Sequence, residues 1–123
     1  MTGIDGDVGR LLDQAAEYFA VLSGPARLRI LHAVCDGERS VSDIISITGL
    51  SQTNASQHLA LMYRAGVLRR RKAGAQVLYA IADAKVVELC RFVCTMVASR
   101  EVADESFPAS PAAPAAVGKP DDA

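Results

Sequence analysis

Residues Ser51–Tyr79 read SQTNASQHLALMYRAGVLRRRKAGAQVLY. Ser51 suits a helix N-cap, because its hydroxyl can accept a hydrogen bond from a backbone N–H of the first turn. Ala55, Leu59 and Met62 then recur at steps of four and three, which lines them up as one inward face of a helix. Gly66 can take the left-handed conformation that ends a helix. Beyond it the period changes from helical to extended. Val67–Lys72 and Gln76–Ile81 read as two strands joined around Ala73-Gly74-Ala75, a hairpin with glycine available for a positive dihedral. The first strand carries Arg69, Arg70, Arg71 and Lys72 in succession. A core strand cannot bury such a run, so the hairpin is expected to project into solvent or onto a partner.

On the N-terminal side, Ser40 with Asp43 three positions later resembles a capping box and opens a short helix through Ile44, Ile45 and Ile47 that Gly49 stops. Two helices joined by a Gly-containing turn of about three residues make a helix-turn-helix. Further upstream, Val8, Leu11, Leu12, Ala15, Ala16, Phe19 and Leu22 form a helical stripe. Ser23-Gly24-Pro25 breaks it, and Pro25 suits the first turn of a second helix ending at Asp36-Gly37. After the hairpin, Asp83 caps a last helix through Val86, Val87, Leu89, Cys90, Val93, Cys94 and Val97. The reading is a mainly α chain with a two-stranded β-wing, in the order ααααββα. Residues 1–7 are set aside as a flexible start, 8–101 as one domain, and the Pro/Ala-rich 102–123 as a disordered tail, because that composition buries too little apolar surface to offset its ordering entropy.

The chain has 123 residues and a formal net charge of only -1, yet every charged side chain between Ser51 and Tyr79 is positive: Arg64, Arg69, Arg70, Arg71 and Lys72. Such segregation builds the cationic face that docking on a polyphosphate backbone requires. In the first two turns after Ser51 stand Gln52, Thr53, Asn54, Ser56, Gln57 and His58. Gln and Asn match adenine edges in a bidentate way, and Ser, Thr and His reach phosphates or bases. Double-stranded DNA is the expected partner, with Arg69–Lys72 on its backbone or minor groove. Apolar runs are too short to span a bilayer and Met1–Asp7 lacks the character of a signal peptide, so a cytoplasmic, non-membrane protein is expected. A Gly-rich phosphate loop, HExxH and a Cys-x-x-Cys pair are absent from the sequence, so neither catalysis nor a bound cofactor is expected.

LSGPARLRILHAVCDGERSVSDI followed by GLSQTNASQHLALMYRAGVLRRRKAGAQVLYAI resembles the ArsR/SmtB family of bacterial repressors over roughly Ala15–Val97. The resemblance implies a winged helix-turn-helix homodimer, with the first and last helices at the dimer interface and one recognition helix per subunit in the major groove of an inverted repeat. The wide apolar stripes on those two helices point the same way, since so small a domain has no internal partner for all of them.

Family members that sense metals use recurring ligand positions. Where such relatives carry a Cys-x-Cys pair, this chain has Ser40-Val41-Ser42, whose hydroxyls are poor ligands for soft metals. Where zinc sensors begin with Asp-x-His, it has Asp83-Ala84-Lys85, and no histidine follows His58. His32 reads as a core histidine. What remains is three cysteines, Cys35, Cys90 and Cys94, expected reduced because an odd number without an export signal does not suit a disulfide framework. Cys90 and Cys94 share a helix face, and free cysteine is often a small core hydrophobe. Two inputs stay open. CRFVC is similar to the last helix of members that answer to reactive sulfur species and control sulfur oxidation or sulfide detoxification; this resemblance implies oxidative bridging of Cys35 and Cys94. Those relatives can carry the helix-two cysteine a turn earlier, near His32. Alternatively, Cys35, Cys90 and Cys94 together bind arsenite or antimonite as three thiolates.

Overall fold

The computed structural model describes residues 5–103. In chain order they form α1 (Gly6–Leu22), α2 (Pro25–Val34), β1 (Arg39–Ser40), α3 (Val41–Thr48), α4 (Gln52–Arg64), β2 (Leu68–Ala73), β3 (Gln76–Ile81) and α5 (Ala84–Ala103). Their boundaries follow from local chemistry. The Ser40 hydroxyl accepts from the Asp43 N–H at 3.1 Å, and the Ser51 hydroxyl accepts from the Asn54 N–H at 3.1 Å, so each satisfies an orphan donor in the first turn of its helix. Gly49 ends α3 in the left-handed region at φ 78°. After α4, the Val67 N–H donates to the Met62 carbonyl at 3.0 Å and the Gly66 N–H to the Tyr63 carbonyl at 3.1 Å, with Gly66 at φ 82°. That reciprocal pair is a Schellman motif, and its geometry delivers Val67, 1% exposed, into the core at the start of the wing.

The two wing strands pair antiparallel from Leu68↔Ile81 to Ala73↔Gln76. A two-residue strand, β1, adds to the far edge of β3 through Arg39↔Tyr79 and Ser40↔Leu78, giving a three-stranded sheet of order β1-β3-β2. The expected two-stranded wing is present as β2 and β3, and β1 extends its sheet by a short third strand. Two residues carry no periodicity, and β1 is a strand only because β3 lies beside it. Asp5 caps α1 by accepting from the Val8 N–H at 2.9 Å, so Gly6 and Asp7 belong to its first turn. At the other end α5 runs to Ala103, two residues beyond the expected Glu101. The remainder of the expected flexible start and Pro/Ala-rich tail lies outside the described residues.

Ile30, Val34, Ile44, Leu59, Met62, Val67 and Leu68 are the large side chains sealed at the centre. They come from α2, α3, α4 and the root of the wing. By contrast, among the described residues α1 contributes only Leu22 to the buried core and α5 only Val86. Tyr18 and Val21 of α1 and Val87, Leu89 and Cys90 of α5 pack half-buried against it, while many of their other apolar side chains stand in the open, with Leu11 63% and Phe92 67% exposed.

Candidate nucleic-acid interface and thiol cleft

Ala55, Leu59 and Met62 are fully buried, and this fixes the rotation of α4. Gln52, Thr53, Ser56 and Gln57 therefore emerge together on its outer face, all exposed. Ser51 sits at the exposed cap and Asn54 is half-buried beside it. His58 differs in burial from Gln52, Thr53, Ser56 and Gln57. It is half-buried, and its Nδ1 accepts from Arg27 Nε at 3.3 Å. Burial, then the neighbouring Arg27 charge, push its pKa below the ordinary histidine value, so the neutral acceptor form is favoured. His58 belongs to the joint between α2 and α4. The same Arg27 guanidinium donates from Nη1 to the carbonyls of Ala20 at 3.1 Å and Val21 at 3.0 Å, at the C-terminal end of α1.

Arg69, Arg70, Arg71 and Lys72 are all exposed along β2, as their charge requires. Two of them are nevertheless held by partners within the fold. Arg70, cross-strand from Tyr79, lies with its guanidinium 4.0 Å from the centre of the Tyr63 ring, a cation–π contact tying the wing to the end of α4. A hydrogen bond to Tyr79 pushes its pKa further up. Arg71 makes a bidentate pair with Glu38, Nε to Oε2 at 2.7 Å and Nη2 to Oε1 at 2.9 Å. That hydrogen bond, with the Arg71 charge, holds the Glu38 carboxyl below its ordinary pKa. The sequence reading singled out neither Tyr63, Tyr79 nor Glu38. Once the Gly74-Ala75 turn is placed, hairpin register puts Tyr79 opposite Arg70; Glu38, 33 residues from Arg71, gives no local signal.

Cys35 caps the end of α2, while Cys90 and Cys94 lie one turn apart on α5. All three line one cleft of about 390 Å³ between the two helices, with Leu28, Leu31, Val86 and Val87 as apolar walls and His32, Asp36 and Arg91 as polar members. His32 is exposed there and is not the core histidine expected. Cys94 is exposed, and Cys35 and Cys90 are half-buried. Burial, followed by the nearby Cys94, pushes the Cys90 thiol pKa up, which lowers its thiolate fraction. Among the described residues, no three His, Cys, Asp or Glu side chains are grouped closely enough to hold a metal ion.

A helix-turn-helix followed by an antiparallel wing and flanked by three further helices defines a winged helix-turn-helix protein. Residues 24–70 match the sequence profile of the family described as bacterial regulatory protein, arsR family. Rv0081 of Mycobacterium tuberculosis, an HTH-type transcriptional regulator, is 41% identical over 75 residues, covering 60% of this chain and 66% of that protein. Its crystal structure superposes with a TM-score of 0.66 at 38% identity, covering 75% of this chain and 96% of that one. The homodimeric winged helix-turn-helix domain of Mb0332 from Mycobacterium bovis, a possible ArsR-family regulator, gives a TM-score of 0.73 at 30% identity, covering 85% of this chain and 97% of that one. A probable mercury resistance operon repressor of Streptomyces lividans is 31% identical over 77 residues, covering 63% of this chain and 62% of that protein. The chain thus spans just under two thirds of Rv0081 and of the Streptomyces repressor. It belongs to the ArsR family, whose matched members are transcriptional regulators and not enzymes. None of the described helices is long and apolar enough to cross a membrane.

Proposed function

We propose that this chain is a dimeric, DNA-binding transcriptional repressor whose operator affinity is set by thiol chemistry in the cleft between α2 and α5. The observation that carries the DNA reading is the exposed row Gln52, Thr53, Ser56 and Gln57 beside a wing with four consecutive cations and no intervening acid. Ser51 and Asn54 complete the first turn of that helix end. A homodimer covers the apolar faces of α1 and α5 and presents two such helices to an inverted repeat, with half-sites about one helical turn, roughly 34 Å, apart.

Three cysteines lining one cleft support the sensing half of the proposal. Cys35 and Cys94 are the pair favoured for bridging. They sit on different elements, so a bond between them changes the relation of α5 to the core, whereas Cys90 and Cys94 share one helix. The raised pKa of Cys90 also leaves less of it as the reactive thiolate. A thiolate at Cys35 or Cys94 attacks the outer sulfur of a persulfide or polysulfide and expels a thiolate or shorter polysulfide, leaving a cysteine persulfide. The second cysteine thiolate then attacks the inner, cysteinyl sulfur of that persulfide and expels hydrosulfide. Two thiols are oxidised to a disulfide while one sulfane sulfur is reduced to sulfide and leaves. Attack on a longer chain leaves one or more sulfur atoms in the bridge by the same displacement. Genes of sulfur oxidation or sulfide detoxification are the corresponding proposed targets.

The test combines operator binding with intact mass. Polysulfide should release the wild type from an inverted-repeat operator, with a mass change that marks a Cys35–Cys94 bridge. Cys35→Ser and Cys94→Ser should stay bound under the same treatment, and Cys90→Ser should still respond. If all three serine variants lose the response, and arsenite but not polysulfide releases the wild type, the three-thiolate metalloid site replaces the dithiol. On the DNA side, Gln52→Ala or Gln57→Ala should reduce sequence discrimination by ~1–3 kcal/mol per lost bidentate pair, and Lys72→Ala should weaken all sequences and lower the salt slope.

A further inference from the structure

The short link from Cys35 to Ser40 connects the thiol cleft to the wing. Cys35 ends α2, and its own N–H donates to the His32 carbonyl at 3.4 Å. The Gly37 N–H donates to the Val34 carbonyl at 3.3 Å, with Gly37 at φ 155°, so the chain turns sharply out of the helix. The Arg39 side chain reaches back to the Ala33 carbonyl at 3.3 Å. The link is thus fastened to the end of α2. It is equally fastened to the wing, because Arg39 and Ser40 pair with Tyr79 and Leu78 of β3. Between the two fastenings stands Glu38, whose carboxylate grips Arg71 of β2 through two hydrogen bonds, with Glu38 28% and Arg71 56% exposed. An isolated surface ion pair contributes little, but a bidentate fork fixes the plane of a guanidinium as well as its place.

We propose that Glu38 is a positioning residue for the wing: it holds the Arg71 guanidinium in the orientation that meets the DNA backbone, and it passes the state of Cys35 to that contact. The proposal rests on the thiol-switch reading above. The fork occupies Nε and one N–H of Nη2, leaving the Nη1 donors of Arg71 for a phosphate oxygen. A bridge from Cys35 to α5 pulls on the end of α2, three residues before Glu38, and any rotation of that link turns the carboxylate away from the fork. The wing then loses an oriented cation without any change in its own sequence or charge.

Operator affinity of the full chain is measured in the reduced state and after polysulfide for the wild type, Glu38→Ala, Glu38→Gln, Arg71→Ala and the double variant Glu38→Ala/Arg71→Ala, with intact mass and Tm recorded for each. Glu38→Ala should weaken the reduced state by about tenfold at unchanged Tm, and should shrink the ratio between reduced and bridged affinities while its thiols still bridge. Glu38→Gln, which keeps one acceptor, should fall between it and the wild type. The double variant should be no weaker than Arg71→Ala alone, as expected when two residues act through one contact. Tighter operator binding by Glu38→Ala would overturn the proposal, since the carboxylate would then be neutralising a DNA contact. So would a reduced-to-bridged ratio equal to that of the wild type. If the wild type does not bridge at all, the mass measurement shows that the thiol reading has failed, and the relay falls with it.

Discussion

The middle of the chain and its two ends solve opposite problems. From α2 through the root of the wing, side chains such as Ile30, Ile44, Leu59 and Met62 are wholly removed from water. In α1 and α5, Leu11, Phe19, Phe92 and Met96 meet solvent although they are as apolar as the core. A helix keeps such a stripe only if something outside the protomer covers it, so the middle is built to fold and the ends to associate. The two sets of contacts are therefore separable, and single substitutions should fall on one side or the other.

The largest effect is expected in the middle. Leu59→Ala, at a fully buried position, should cost about 2–5 kcal/mol in chemical denaturation, whereas Phe92→Ala should leave the stability of a dilute, monomeric protomer within about 0.5 kcal/mol. Equal losses for both variants at low protein concentration would erase the distinction. Next in size, Phe92→Glu combined with Met96→Glu should convert the dimer to a folded monomer by sedimentation and cost at least about tenfold in operator affinity, through loss of the paired half-site contact. A dimer surviving both charges would place the interface elsewhere.

The smallest effect concerns the joint between the two regions, where Arg27 spans the end of α1 and His58 of α4. Because the folded-state pKa of His58 is depressed, the unfolded chain takes up its proton first as pH falls. Stability should be unaffected well above the unfolded value of about 6.5 and should decline as pH drops from there through the lower folded pKa. His58→Gln, which cannot titrate, should flatten that part of the stability–pH curve. An unchanged curve would mean that His58 is solvated in the folded state.

How much of this was legible in the sequence depended on the distance over which each feature is decided. The helix ends were readable because their causes are adjacent: Ser40 with Asp43, Ser51 with Asn54, and Gly49 and Gly66 in left-handed geometry. The hairpin was readable from the change of period at Val67. The cationic strand was rightly kept out of the core, but the partners of Arg70 and Arg71 were not visible, because Tyr63 approaches only once the wing folds back and Glu38 arrives from another element. His58 was placed on the outer face by its position near the start of α4, and only the packing of α2 against that helix shows it turned inward. The meeting of the three cysteines in one cleft was implied by the family resemblance, which paired Cys35 with Cys94, and by no local pattern.

The two-residue strand β1 has a consequence for how such a protein can change over generations. Arg39 and Tyr79 are direct partners across β1 and β3, so the segment they bracket, 39–79, begins and ends at nearly the same point in space. It contains α3, α4 and β2, the parts proposed to face DNA, and excludes α1, α5 and the three cysteines. Such a segment can be exchanged for a relative's where the incoming segment also carries an arginine at 71 to meet Glu38 of the host. On the thiol reading, operator choice and inducer choice can then change separately, and a graft of residues 39–79 from a family member with arginine at 71 should carry over that member's operator while the host keeps its own inducer.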